Sequence, residues 1–189
     1  MSINTWIGSK LNPTDGMFSF DDACLNEIEN AITVIRDNPL PLLMLHPSNF
    51  NMPKCTNLIN DIFDCVENDL GFGLLEKLPL EHISSHEATS IYWLLSQMLG
   101  RPVAQKWCDG RMVYSVTDLG LPSGNGVRPD VTNEEQSFHT DNSYNITPPD
   151  VVGLLCLQPS MSGGLSRVVN MKSVLEKMEI SHETLIQRL

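Results

Sequence analysis

Ser137-Phe138-His139-Thr140-Asp141, with the apolar run Val151-Val152-Gly153-Leu154-Leu155-Cys156-Leu157 after it, is the stretch from which the rest of the chain can be read. Side chains on an extended strand alternate between faces, so residues two apart point the same way. On such a strand His139 and Asp141 present one imidazole nitrogen and one carboxylate oxygen to a single metal ion. That is two-thirds of the 2-His-1-carboxylate facial triad of ferrous sites. The same residues also suit a turn, with Asp141 and Asn142 making Asx bonds and His139 in solvent. Taken alone, the tripeptide favours the turn.

The flanking sequence shifts the balance. Pro148-Pro149 breaks the chain after Asn145, the apolar run predicts a strand over 151–157, and Gly163-Gly164 turns into a second strand over 165–169. Phe138-His139-Thr140-Asp141, Pro148-Pro149-Asp150 and Gly163-Gly164-Leu165-Ser166 together resemble the taurine dioxygenase-like (TauD/TfdA) family of iron(II)- and 2-oxoglutarate-dependent oxygenases. Upstream, Gly71-Phe72-Gly73-Leu74-Leu75, a helix, Leu99-Gly100-Arg101-Pro102-Val103, Asp118 and Thr132-Asn133 follow the same order. The resemblance covers roughly residues 70 to 180, and its motifs are specific jointly rather than singly.

The resemblance implies an α+β domain with a double-stranded β-helix (jelly-roll) core and outer helices. It implies iron(II) on His139 and Asp141, 2-oxoglutarate as co-substrate, dioxygen, and a small-molecule substrate that is hydroxylated. Ser166 matches the hydroxyl that holds the far carboxylate of 2-oxoglutarate, and a plain strand serine is the alternative. Arg167, its neighbour, is expected on the opposite face as a surface charge. Asn133, Asn142 and Tyr144 are candidates to line the substrate pocket, although Thr132-Asn133 can equally turn a loop. The family completes its triad with a distant second histidine and then an arginine. After Asp141 the sequence offers only His182, in Ser181-His182-Glu183-Thr184 at a predicted helix start, and then Arg188. The expectation is one incomplete domain over 1–189, mainly helical over 1–100, with the first part of the jelly roll over 101–189, and inactive as a fragment for want of the third ligand and the co-substrate arginine.

Composition narrows the function classes. The net charge is −11, with 13 acids against 4 bases over residues 1–100 and 10 against 8 over 101–189. Without a cluster of lysine and arginine there is no electrostatic footprint for nucleic acid, and docking on anionic membranes is disfavoured. No apolar run approaches a bilayer span. Five scattered cysteines, odd in number, fit reduced thiols in the cytoplasm better than a disulfide frame. Cys24, Cys65 and Cys156 fall among apolar positions and read as small core residues.

Helical spacing predicts an amphipathic helix over 20–37, capped by Ser19, with Leu25, Ile28, Ile32 and Ile35 inward. Pro41 to Leu45 reads as a short buried strand and His46 as a capping or surface histidine. Thr56 is expected to cap a second helix bearing Leu58, Ile59, Ile62, Phe63 and Val66. Residues 72–76 read as a strand. Ser84 and Glu87 form a capping box for a third helix, ended by Gly100 and Pro102. Strands are expected over 102–107 and 111–117 around Asp109-Gly110, then a long polar loop over 119–136 that suits a lid. Asn170 or Ser173 caps a further helix, and a last one starts near Ser181. Two rival functions stay open at this point. One is a non-catalytic binding module or degenerate fragment that keeps the fold without iron. The other is a cupin-like metal hydrolase or isomerase.

Overall fold

The first long helix, α1 (Asp22–Asp37), begins where the Asp21 carboxylate accepts the Cys24 amide at 2.7 Å. That bond satisfies one of the amides orphaned at a helix start and holds the Asp21 carboxyl below its ordinary range. The cap is therefore two residues later than Ser19. Cys24, Ile28, Ala31, Ile32 and Ile35 recur at three- and four-residue steps and are buried. A computed structural model describes residues 3–105, 110–124, 126–142 and 146–187.

Helix α2 (Pro53–Asn68) starts three residues before Thr56, with proline in its first turn and no cap from its own side chains. Its amides are served from α1 instead, since the Glu27 carboxylate accepts from Lys54 N and Cys55 N at 2.9–3.0 Å. Thr56 Oγ1 donates back to Met52 O, at 2.9 Å. Helix α3 (Ser85–Leu99) carries the expected capping box on Ser84 and Glu87. Glu87 also accepts from Arg36 Nε of α1 at 2.5 Å. Ala88, Ser90, Ile91, Trp93, Leu94 and Leu95 of α3 are buried, and the three helices pack pairwise. Leu45 is buried while Leu43 and Met44 are exposed, because 42–44 form a 3-10 turn rather than a strand. Trp93 Nε1 and Gln97 Nε2 both donate to Leu45 O and pin that turn to α3. Cys24 and Cys55 sit in this core, where burial pushes both thiols up and keeps them protonated. Cys156 is exposed, contrary to its apolar neighbourhood in sequence.

Met17–Phe18 (β1) and Leu74–Leu75 (β2) pair in parallel, with Met17 opposite Leu74 and Phe18 opposite Leu75. Gly16, just before β1, has φ +74°, and a Cβ there would meet Phe72 Cε2 at 2.8 Å. Helix α4 (Met171–Ser181) is capped by Asn170, whose side chain accepts Ser173 N, and a short α5 (Glu183–Ile186) follows. An N-terminal strap ties α4 to the end of α2. Asn4 N donates to Asp69 O, Trp6 Nε1 to Leu70 O, and Trp6 N to Ser173 Oγ. Asn170 Nδ2 donates to Asn4 O, and the Trp6 ring meets Phe72 edge-on at 5.6 Å.

Two compact units result, Met1–Gly100 with Val169–Leu189, and Arg101–Val168. The first is helical and carries the β1–β2 pair. In the second, the described residues form turns and extended chain without a ladder. This corrects the strands expected over 102–107, 111–117, 151–157 and 165–169, although Lys106, Trp107, Cys108 and Asp109 lie outside the described residues. Of that hairpin the described residues keep one link, Gln105 N to Arg111 O at 2.6 Å. Apolar alternation encodes which side chains seek burial; a strand exists only once a neighbour takes its backbone bonds. Leu154 and Leu165 are 81% and 87% exposed, so these runs have no such neighbour among the described residues. The double-stranded β-helix is likewise not formed by the described residues.

Candidate metal centre

His139 and Asp141 lie in the second unit, with Asp141 at a turn. Asp141 and Asn142 form the turn, and Asn142 adopts the left-handed conformation, φ 51°, which asparagine tolerates better than most residues. The turn is thus present and the expected strand is not. His139 Nε2 and Asp141 Oδ1 stand 3.3 Å apart, and both side chains are half exposed, at 52% and 50%. His139 Nδ1 lies 2.8 Å from Ser137 O. A carbonyl oxygen can only accept, so Nδ1 carries the hydrogen, and Nε2 is the nitrogen aimed at the carboxylate.

An Nε2 lone pair facing a carboxylate oxygen is repulsive unless a cation lies between them, either a proton or a metal. Two ligands at about 2.1 Å from one metal, placed at a right angle, are about 3 Å apart. The observed separation is close to that value, and imidazole with carboxylate is a donor set suited to ferrous iron. The Ser137 carbonyl supplies the second hydrogen bond that metal-bound histidines commonly make. These two residues therefore fit two positions of an iron site. Among the described residues no group of three His, Cys, Asp or Glu side chains comes together.

The other candidates are more dispersed. Asn133 is exposed, beside a turn in which Thr132 Oγ1 donates to Pro129 O and accepts from Glu134 N. Asn142 is half-buried, and Tyr144 lies outside the described residues. Ser166 is exposed, following Gly163 and Gly164, both with positive φ. Arg167 is exposed, as expected of a surface charge, but it pairs with Glu135, a partner not anticipated from sequence. His182 is exposed at the α4–α5 junction, where Nδ1 meets Ser181 Oγ at 2.7 Å. Arg188 lies outside the described residues.

The loop ahead of the pair is tied rather than loose. Leu119 N donates to Val131 O at 3.0 Å, and Gly120 N to Asp118 Oδ1 at 2.7 Å. Ser123 Oγ bonds Glu134. Burial opposes charge on Asp130, but hydrogen bonds from Tyr114 and Arg128, with the Arg128 charge, hold its carboxyl below the ordinary range. Asp130 was not singled out in the sequence; its signal was Arg128-Pro129-Asp130, a proline turn flanked by opposite charges.

A histidine–carboxylate pair open to solvent offers two of the three donors of a 2-His-1-carboxylate set. Residues 36–189 match the model of the taurine catabolism dioxygenase TauD, TfdA family, and the chain belongs to that family. No curated protein matches it.

Proposed function

We propose that this chain supplies two iron ligands of an iron(II)- and 2-oxoglutarate-dependent oxygenase that hydroxylates a small molecule. The observation that carries the reading is the 3.3 Å approach of His139 Nε2 to Asp141 Oδ1, with Nδ1 bound to Ser137 O. Family membership supports dioxygenase chemistry of this type. When bound, the iron and 2-oxoglutarate supply oxidation of a C–H bond by dioxygen, giving alcohol, succinate and carbon dioxide.

The chain's own residues have narrower tasks. His139 and Asp141 hold the metal. The Ser137 carbonyl keeps the imidazole in the tautomer whose Nε2 is a free donor. Ser166 donates to the far carboxylate of 2-oxoglutarate, a charge-assisted bond. Asn133, Asn142 and Tyr144 line the substrate side. A jelly-roll core belongs to the same proposal, supported by family membership and by the apolar runs of 151–157 and 165–169, in which Val152, Leu154, Leu165 and Val168 are exposed. A cytoplasmic setting is supported by the scattered thiols. No helix among the described residues is long and apolar enough to cross a membrane, which by itself does not fix a location.

The test is anaerobic calorimetric titration of the chain with iron(II), then with 2-oxoglutarate. Saturable iron binding that disappears in His139→Ala, followed by 2-oxoglutarate binding that requires iron, is the expected result. Iron binding unchanged by His139→Ala removes the pair from the site. A folded chain that binds neither ligand is a non-catalytic module.

A further inference from the structure

We infer that Glu135 and Arg167 form a positioning pair that sets the Ser166 segment in register with the His139–Asp141 segment. The inference rests on the oxygenase reading above. Residues 133–142 and 163–168 share no strand ladder among the described residues, so backbone bonding does not fix one against the other. The Arg167 guanidinium meets the Glu135 carboxylate across that gap. One partner lies four residues before His139, and the other directly follows Ser166.

The turn before Ser166 leaves this link something to do, because a double glycine by itself holds its direction only loosely. Gly163 and Gly164 have φ +74° and +68°, a conformation that most side chains resist. Ser160 Oγ also fills the space that a Cβ on Gly164 would need. The double-glycine turn allows the direction in which the chain leaves, and the ion pair sets where Ser166 comes to rest. Guanidinium suits this role because its planar fork orients against a carboxylate, whereas an ammonium acts as a point charge. Both side chains stand well out in solvent, 63% and 74% exposed. An exposed pair adds little to overall stability and is weakened by salt. Its work is registration, acting on 2-oxoglutarate through Ser166.

The experiment compares the full chain with Glu135→Arg, Arg167→Glu and the double swap. Two quantities are read, amide hydrogen exchange over 133–142 and 163–168, and affinity for 2-oxoglutarate with iron(II) present. Each single reversal places like charges together. It should speed exchange in both segments and weaken 2-oxoglutarate binding by about two- to fivefold. The double swap should restore both, and about 1 M salt should erase the differences. A global unfolding midpoint that stays put separates registration from general destabilisation. A double swap that restores neither quantity overturns the inference. So does exchange that recovers while 2-oxoglutarate affinity is equal in all four forms. If no form binds iron(II) or 2-oxoglutarate, the oxygenase reading falls, and the exchange data alone then decide whether the pair joins the two segments.

Discussion

Glu27 of α1 accepts the Cys55 amide of α2 at 2.9 Å, across 28 residues of sequence. One helix thereby caps the next, and Lys54 N shares the same carboxylate. Glu27→Ala should destabilise the helical unit by about 1 kcal/mol, up to roughly 2, the range for loss of a capping acceptor. Glu27→Gln keeps one acceptor oxygen and should fall between. Urea unfolding followed by far-ultraviolet circular dichroism measures both, and equal stability of all three forms would contradict the cap.

Glu87 gives a pH dependence with a definite sign. Its carboxyl is lowered from 4.5 to about 2, first by the hydrogen bond from Arg36 and then by those from Ser84. The unfolded chain therefore takes up the proton first as pH drops. Stabilisation from this group is complete above the ordinary carboxylate range and is lost as pH falls through about 2. Unfolding midpoints measured from pH 5 down to 2 should decline, and Glu87→Gln should flatten part of that decline. An identical slope in the variant would mean that the α1–α3 link is not made in solution.

At the candidate metal centre, removal of either His139 or Asp141 should weaken iron(II) binding by at least about 100-fold, beyond the loss typical of an outer-shell partner. Anaerobic titration of His139→Ala and Asp141→Ala tests this directly. Retained affinity in both would place the metal elsewhere.

Ser166→Ala should raise the 2-oxoglutarate requirement about tenfold or more, since a hydrogen bond to a charged group is worth about 1.5–3 kcal/mol. Iron binding should be unaffected, which distinguishes a co-substrate contact from a disturbed metal site. A variant with an unaltered co-substrate requirement leaves Ser166 as an ordinary serine of the extended chain.

Legibility in the sequence followed the range of the interactions. The Ser84–Glu87 box and the Asn170 cap are local hydrogen bonds, so spacing alone revealed the first and narrowed the second to Asn170 or Ser173. Ile28, Ile32, Ile59, Ile62 and Ile91 were recognisable as core because helical periodicity repeats over several turns. The start of α2 was misplaced because its cap comes from another helix, and a local reading chose Thr56. Strands over 151–157 and 165–169 were expected from apolar pattern, yet pairing depends on a neighbour that the pattern does not specify. At the candidate centre, His139 and Asp141 were singled out from their spacing together with the flanking motifs, and the two side chains approach each other at a turn rather than on a strand. The Arg167–Glu135 partnership crosses 32 positions and leaves no periodic trace.

The strap from Asn4 to Trp6 gives the helical unit a birth order. Its partners are Asn170, the cap of α4, and Ser173 within α4, and the Trp6–Ser173 bond spans 167 residues. At about 5–20 residues per second on a ribosome, roughly ten to thirty seconds separate the emergence of its two halves. Helices α1 to α3 can pack during that interval while the strap waits with one side unfilled. The whole 101–168 segment is synthesised before the helix that closes the first unit, so the last piece of the older unit arrives after the younger one is already outside.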